Sequence, residues 1–370
     1  MKKKALYISS FIPNSISTHA GGQAAYQNLS DLKNEGYDVT TLICTTEDIP
    51  LSKENKKTFI FKQNKIQLLL GYLYNIISLK FFGFFSWDIF DTRSNFYFER
   101  LLKNELSKKE YDLVFVDFTQ SFLPVIRAIS YAKERPTLFC CPHDLFIQKY
   151  LRRNKIIDKI RIGFIAKTEN KILSQFDKII LLSEKDNFLA KYLYDLENLY
   201  TRPWSPPKWV KNVRRSIQTI NSGEILFFAN FNRPENSEAL NWFLNHSWLN
   251  VKQSIPNAKL VIAGTGSDQI KIPSNLQGIE RSGFIENPAS LFERCELSIA
   301  PLAYGAGVKF KVLEALSCGV PIVGTTVAFE GIEESNLTYR SNRENFDKTI
   351  ISLIKRGNNS TREPLKTSAT

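Results

Sequence analysis

The sequence predicts an α/β protein of two domains, each built around a parallel sheet. Three observations carry that prediction. Short apolar runs alternate with helical stretches, a proline-rich polar break interrupts the pattern near residues 201–223, and the alternation then restarts. A length of 370 residues suits two ordinary domains.

Taken in order, residues 4–10 form an apolar run read as the first strand, and residues 11–22 read as a loop ending in Gly21 and Gly22. Ala25, Leu29 and Leu32 recur at helical spacing until Gly36 stops the helix, and DVTTLICT at 38–45 is the second strand. Further buried strands are expected at 112–117, 137–141 and 177–183. Pro203, Pro206 and Pro207, followed by Arg214, Arg215 and a polar NSG, read as a linker. The second half predicts strands at 224–229, 259–263, 296–300 and 320–324, with helices at 236–247, 287–294 and 309–318. The expected organisation is a first domain over 1–202, a linker over 203–222, a second domain over 223–345, and a helix with a tail over 346–370. The two domains are expected to face each other across a cleft, because open α/β sheets bind ligands beyond the carboxyl ends of their strands.

Composition narrows the function classes. Apolar residues make up 43% and charged residues 23%, which excludes a disordered chain, a collagen-like fibre and a multi-span membrane protein. Lys and Arg number 49 against 37 acids, so a phosphate-bearing substrate, an anionic membrane surface or nucleic acid would suit the net charge of +12. The five cysteines include no Cys-x-x-Cys pair, so neither a disulfide framework nor a zinc knuckle is expected. They read as small buried hydrophobes suited to a reducing compartment. The stretch LYISSFIP is too short for a signal-peptide core, and the cytoplasm is the expected compartment.

Segment 66–86 carries Gln67, Asn75 and Lys80 and reads as a buried or partly membrane-facing helix rather than a span. Residues 149–171 hold eight Lys or Arg against Asp158 and Glu169, interleaved with Ile, Phe and Leu. Two readings stay open for them: a solvated helix face over a core-facing stripe, or a basic amphipathic helix on anionic lipid.

The stretch with the most chemistry is PLAYGAGVKFKVLEALSCGVPIVG at 301–324. Gly305, Ala306 and Gly307 form a small-residue loop before a helix, where backbone N–H groups can approach an anion closely. Lys309 and Lys311 are read in the first turn of that helix, where positive charge opposes the dipole, and neutralising a diphosphate is a job that would hold them there. Glu314, an acceptor-only carboxylate, could grip the vicinal hydroxyls of a ribose. Of three histidines, His143 directly follows a strand and can donate or accept near neutral pH. His19 reads as a loop residue and His246 as a helical one.

Residues 223–331 resemble the donor-binding domain of the retaining family 4 (group 1) glycosyltransferases, which have the GT-B fold of two Rossmann-like domains. The resemblance runs through FFANFNRPENSEALNWFL at 227–244, AKLVIAGTG at 258–266, the run from Ser282 to Thr325, and Glu330-Gly331. The N-terminal half matches more loosely through Gly21-Gly22, DVTTL, Pro142-His143-Asp144 and Ser183. Many members carry two glutamates separated by seven residues. The second corresponds to Glu314, whereas the first falls on Ala306, as in the subgroup with a GAGxKxK loop. Sugar contacts are then expected from the loop's backbone amides. Members also finish with a helix that crosses back to the first domain, so the short tail here implies either a truncated chain or a short crossover.

What the resemblance implies can be stated residue by residue. Arg233 with Lys309 or Lys311 would neutralise the diphosphate, and Glu314 would bind the ribose. Phe284, Ile285 and Glu286 occupy the loop that holds the base, and Gly264 and Gly266 leave room for the nucleotide. Gly21, Gly22 and Asp144 fall on the acceptor side, and His143, as the catalytic residue, near the transferring sugar. The activity implied is transfer from a nucleotide-sugar, with retention, to a glycan or lipid-linked acceptor in surface polysaccharide synthesis. The nucleotide-sugar is a co-substrate, and no separate cofactor is expected. No Asp-x-Asp occurs, so no metal is expected, and lysine and arginine take its electrostatic role. A sugar-nucleotide epimerase of the same fold and a basic nucleic-acid-binding protein are the alternatives. The second lacks any nucleic-acid motif, so no nucleic-acid partner is expected.

Overall fold

In a computed structural model of the chain, the first apolar run forms β1 (Lys4–Ser9), buried along nearly its whole length as a central parallel strand must be. The structure describes residues 2–14, 20–45, 57–62, 64–67, 69–71, 73, 96–152, 156–215 and 222–359. It divides into one unit of Met1–Ser205 with Ala306–Val308, and a second of Pro206–Gly305 with Lys309–Thr370.

The first unit adds β2 (Asp38–Thr45), β3 (Thr58–Lys62), β4 (Leu113–Asp117), β5 (Thr137–Cys141), β6 (Lys178–Leu181) and β7 (Leu199–Thr201). They pair in parallel in the order β3-β2-β1-β4-β5-β6-β7. The two-residue period of a strand splits its side chains between two cores. Leu6 and Ile8 enter one cluster with Phe98 and Phe122, while Ala5 and Tyr7 enter the other with Leu32 and Phe115. The register sets Ser9 opposite Asp117, and Asp117 opposite Cys141, so three strands end level.

The second unit is a parallel sheet of β8 (Glu224–Phe228), β9 (Lys259–Ala263), β10 (Ile279–Gly283), β11 (Leu297–Ala300), β12 (Ile322–Gly324) and β13 (Thr338–Arg340). Its order is β10-β9-β8-β11-β12-β13. Helices Pro234–His246 and Phe346–Asn359 pack against it through Phe243 and Phe346, which meet edge to face at 6.0 Å.

The buried strands lie where the apolar runs predict them, within two or three residues. The edge strands β3, β7, β10 and β13 were not predicted from the sequence because they are short and half-exposed, and only β3 carries an apolar run, the three residues Phe59, Ile60 and Phe61. Two local expectations are corrected. Gly21 and Gly22 lie inside the first turn of helix Ala20–Asn34 instead of closing a loop before it. A Cβ on Gly21 would sit 3.1 Å from the Phe11 ring, so packing accounts for that glycine rather than a turn. Lys309 is the residue before helix Phe310–Ser317, with extended backbone, and not part of its first turn. His19, residues 74–86 of the apolar segment, and the tail from residue 360 lie outside the described residues. Among the described residues no helix is long and apolar enough to cross a membrane.

Candidate functional site

Parallel strands deliver their following loops to one edge of a sheet, and in the second unit those loops interlock. Gly264 has φ +116, and a Cβ there would stand 2.1 Å from the Ala229 carbonyl oxygen. At Gly266, φ +80, it would stand 2.6 Å from Asn232 Oδ1. At Gly264 the obstacle is backbone and only glycine fits, whereas at Gly266 a side chain would need positive φ and a shift of Asn232. Phe231 N–H donates to the Thr265 carbonyl at 2.7 Å, closing the contact between the loops after β8 and β9. Ser267 is fully buried, and its hydroxyl has no hydrogen-bond partner among the described residues. Arg233 precedes helix Pro234–His246, its exposed guanidinium 3.6 Å from Glu235.

Lys309, Lys311 and Glu314 come together on one short helix and the residue before it. Lys309 is buried, its ammonium 4.0 Å from Glu330 and its methylenes folded over Gly305. Lys311 donates to Asn236 Oδ1 and lies 5.7 Å from the centre of the Phe227 ring. Burial, and then the like charge of Lys309, pull its pKa down to about 7 against the opposing pull of Glu235. Glu314 is buried, and desolvation pushes its carboxyl up to about 8 despite Lys311. Three residues apart, Lys311 and Glu314 share one helix face. Burial thus favours the neutral form of each, while an incoming anion would favour protonated Lys311 and hydroxyl donors would favour ionised Glu314.

The remaining predicted donor residues fall nearby in the chain but differ in exposure. Gly305, Ala306 and Gly307 link β11 to the Lys309 turn, with positive φ at both glycines. Phe284 and Glu286, just after β10, are exposed, whereas Ile285 packs against the core.

In the first unit the level strand ends build a second cluster. Asp117 closes β4 fully buried, accepting from the Tyr7 hydroxyl at 2.5 Å through Oδ2 and facing His143 Nε2 at 2.6 Å through Oδ1. His143 stacks on Phe118 with ring centres 4.0 Å apart and planes 10° apart, and Phe11 meets Phe118 edge-on at 4.5 Å. His143 and Phe118 both hold positive φ, 69° and 68°, a conformation costing on the order of 1–3 kcal/mol for such residues. Burial lowers the His143 pKa, but Cys141 and the Asp117 carboxylate outweigh it and raise it to about 10. Burial, then Asp117, raises the Tyr7 hydroxyl well above the ordinary range.

Asp117, Cys141 and His143 also place their ligand-type atoms within 4.8 Å of one another, the one such trio among the described residues. Cysteine spacing does not reveal it, because the register of β4 and β5 creates it. The Asp117 and His143 atoms are already joined by a hydrogen bond.

Asp144 follows His143, and helix Phe146–Leu151 begins two residues later. Its first N–H groups, of Phe146 and Ile147, donate at 2.6 and 3.1 Å to Glu169, which also accepts from the Tyr194 hydroxyl at 2.5 Å. Burial raises the Glu169 carboxyl to about 7, the three hydrogen bonds oppose this, and Asp144 adds to it.

Residues 222–356 match the family model for glycosyl transferases group 1. Over that stretch the second unit is similar to the group 1 glycosyltransferases. An uncharacterized 44.6 kDa protein in the cps region of Klebsiella pneumoniae is 27% identical over 148 residues. That match spans 37% of this chain and 38% of the relative. Sucrose-phosphate synthase of Thermosynechococcus elongatus aligns over 96% of this chain and 89% of its own, at TM-score 0.64 and 14% identity. HepE of Anabaena, solved with UDP and glucose, aligns over 95% and 90% at TM-score 0.62 and 14% identity. At such identities the likeness shows the fold, the two Rossmann-like α/β units of GT-B glycosyltransferases.

Within the second unit, the sequence named Lys309, Lys311 and Glu314 as site residues but gave no role to Asn236, Ser267 or Glu330, although Glu330 stands in the stretch that carries the resemblance. Asn236 lies within the stretch that carries the resemblance, yet only tertiary packing brings its amide to Lys311. In the first unit the reading named His143 and missed Asp117 and Tyr7. An acid closing the buried run LVFVD was the available signal, since carboxylates rarely end a buried strand without a partner.

Proposed function

We propose that this chain is a retaining family 4 glycosyltransferase that takes a nucleotide-sugar and extends a glycan or lipid-linked acceptor in surface polysaccharide synthesis. The observation that carries the reading is half-buried Lys311 and buried Glu314 on one helix face, with buried Lys309 just before them and the Gly-Ala-Gly loop preceding them in sequence, inside the stretch that matches group 1 glycosyltransferases. A departing nucleoside diphosphate gains negative charge, and fixed cations at Lys309, Lys311 and Arg233 stabilise it as it forms. Glu314 accepts from the ribose hydroxyls. The backbone amides of 305–307 take the sugar contacts that a glutamate at Ala306 would otherwise make.

His143 is the catalytic residue of this reading. Held protonated by Asp117, it donates to a hydroxyl of the transferring sugar and cannot act as a base at neutral pH. Gly21, Gly22 and Asp144 belong to the acceptor side, and Phe284, Ile285 and Glu286 to the base. The reaction needs no bound metal or other cofactor, and no nucleic acid takes part. All five cysteines are buried free thiols, which suits work in the cytoplasm.

HepE, which shares the fold, was solved with UDP and glucose, so UDP-sugars lead the donor set to be tested. The test is thermal stabilisation by UDP-, GDP-, ADP- and dTDP-sugars, followed by nucleotide release with acceptor. One series is expected to stabilise by about 2.7 kcal/mol at a hundredfold excess over its dissociation constant. Glu314→Ala is expected to weaken that binding by about 1.5–3 kcal/mol. Unchanged affinity in both Glu314→Ala and a Lys309→Ala/Lys311→Ala double variant would sink the assignment.

A further inference from the structure

Helix Ile156–Leu173 divides its residues in an uncommon way. Ile165, Thr168, Glu169, Ile172 and Leu173 are buried against the first unit. Ile156, Lys159, Gly163, Phe164, Lys167 and Lys171 are exposed, and at 3.6 residues per turn they fall within about 140° of arc. That outward stripe joins three lysines to two large apolar side chains, Ile156 at 77% exposure and Phe164 at 49%. Leu151, closing the preceding helix, is exposed at 54%. Glu169, the one acid among the helix's described side chains, is turned inward. A face that served only solubility would carry the lysines without Ile156 and Phe164, and a face awaiting a protein core would lack the lysines.

We infer that this stripe docks the first unit onto an anionic lipid bilayer. Lysine stems lie along apolar surface while their ammonium groups reach headgroup phosphates. Ile156, Phe164 and Leu151 enter the boundary between headgroups and acyl chains. Nucleic acid would satisfy the lysines but leave the aliphatic side chains against water. A second copy in a two-fold dimer would set the lysines against one another. The inference goes beyond sugar transfer and rests on exposure and charge alone.

The test is co-sedimentation with phosphatidylglycerol vesicles and with phosphatidylcholine vesicles, without nucleotide, at low and high salt. Wild type is expected to sediment with the anionic vesicles at low salt only. Lys159→Ala/Lys167→Ala/Lys171→Ala should weaken partitioning roughly a hundredfold, about fivefold for each lysine near the surface. Ile156→Ser/Phe164→Ser, exposed changes that spare the core, should weaken it as well. Lys211→Ala/Lys271→Ala/Lys355→Ala, an equal charge change at exposed lysines of the second unit, should bind as wild type does. The inference is overturned if wild type stays in the supernatant or the second-unit variant loses as much. It is equally overturned if the serine variant binds unchanged. Because no nucleotide is present, failure here leaves the transferase reading standing, and failure of that reading leaves vesicle binding measurable.

Discussion

His143 and Asp117 meet across 2.6 Å, Nε2 to Oδ1, at the ends of two neighbouring strands. Because Oδ2 of the same carboxylate is taken by Tyr7, the contact has little freedom to turn. His143 therefore carries its proton well above neutral pH. Its folded pKa is raised, so the stability it lends is fully present below about 6.5 and lost as pH rises through about 10.

Asp117→Asn is expected to return the His143 titration towards the ordinary imidazole range. Ring-proton or nitrogen NMR shifts should show one histidine that stays protonated through pH 8 in wild type and titrates near neutrality in the variant. Turnover should fall more than donor affinity, since Asp117 acts through His143. A wild-type enzyme whose histidines all titrate near pH 6.5 would refute the pairing.

Pyrophosphate binding should take up a proton at Lys311. The free lysine is depressed to about 7 by burial and by Lys309, and the opposite charge of a bound polyanion would outweigh both influences. At pH 8 calorimetry in buffers of different ionisation heat should report uptake approaching about one proton per site. Lys311→Met should show none. Zero uptake by the wild type would remove Lys311 from the phosphate site.

Glu169→Gln should flatten part of the pH dependence of stability. The carboxyl rises from its ordinary value to about 7, so the native state holds the proton more tightly than the unfolded chain does. Stability from this group is full below about 4.5 and declines by about 3 kcal/mol as pH climbs through 7. Urea midpoints of both proteins at pH 5 and pH 8 give the comparison. Equal slopes would mean that Glu169 is ionised throughout.

Chelation by EDTA should leave sugar transfer intact, because Arg233, Lys309 and Lys311 supply the positive charge in the proposed mechanism. Loss of turnover that zinc restores would instead assign a role to Asp117, Cys141 and His143. Restoration by manganese alone would require oxygen ligands elsewhere.

The central strands and the helix carrying Glu314 were legible because burial on both faces writes a continuous apolar run. β13 was not, since an edge strand buries one side and leaves no such run, and β3 offers only the short run Phe59, Ile60 and Phe61. The grouping of Lys309, Lys311 and Glu314 was legible because they stand within a few positions of Gly305. The first-unit cluster was not, because Tyr7, Asp117 and His143 are scattered in the chain and only parallel register aligns them. Glu169 was read as one of two acids in a basic stretch, and its role as acceptor for a helix start 22 residues earlier is purely tertiary.

Tyr7 and Asp117 are 110 residues apart in the chain, whereas Asp117 and His143 are separated by 26. During synthesis at about 5–20 residues per second, Tyr7 would emerge roughly 5–20 s before the carboxylate that it binds. In that interval β1 has β2 as a neighbour but lacks its central partner β4, and its apolar face waits uncovered. Closing so long a loop is slow compared with forming a helix or a hairpin. Both Tyr7 and His143 meet only at the Asp117 carboxylate, so a nascent chain lacking β4 has neither contact, and the cluster forms only once the middle of the sheet is assembled.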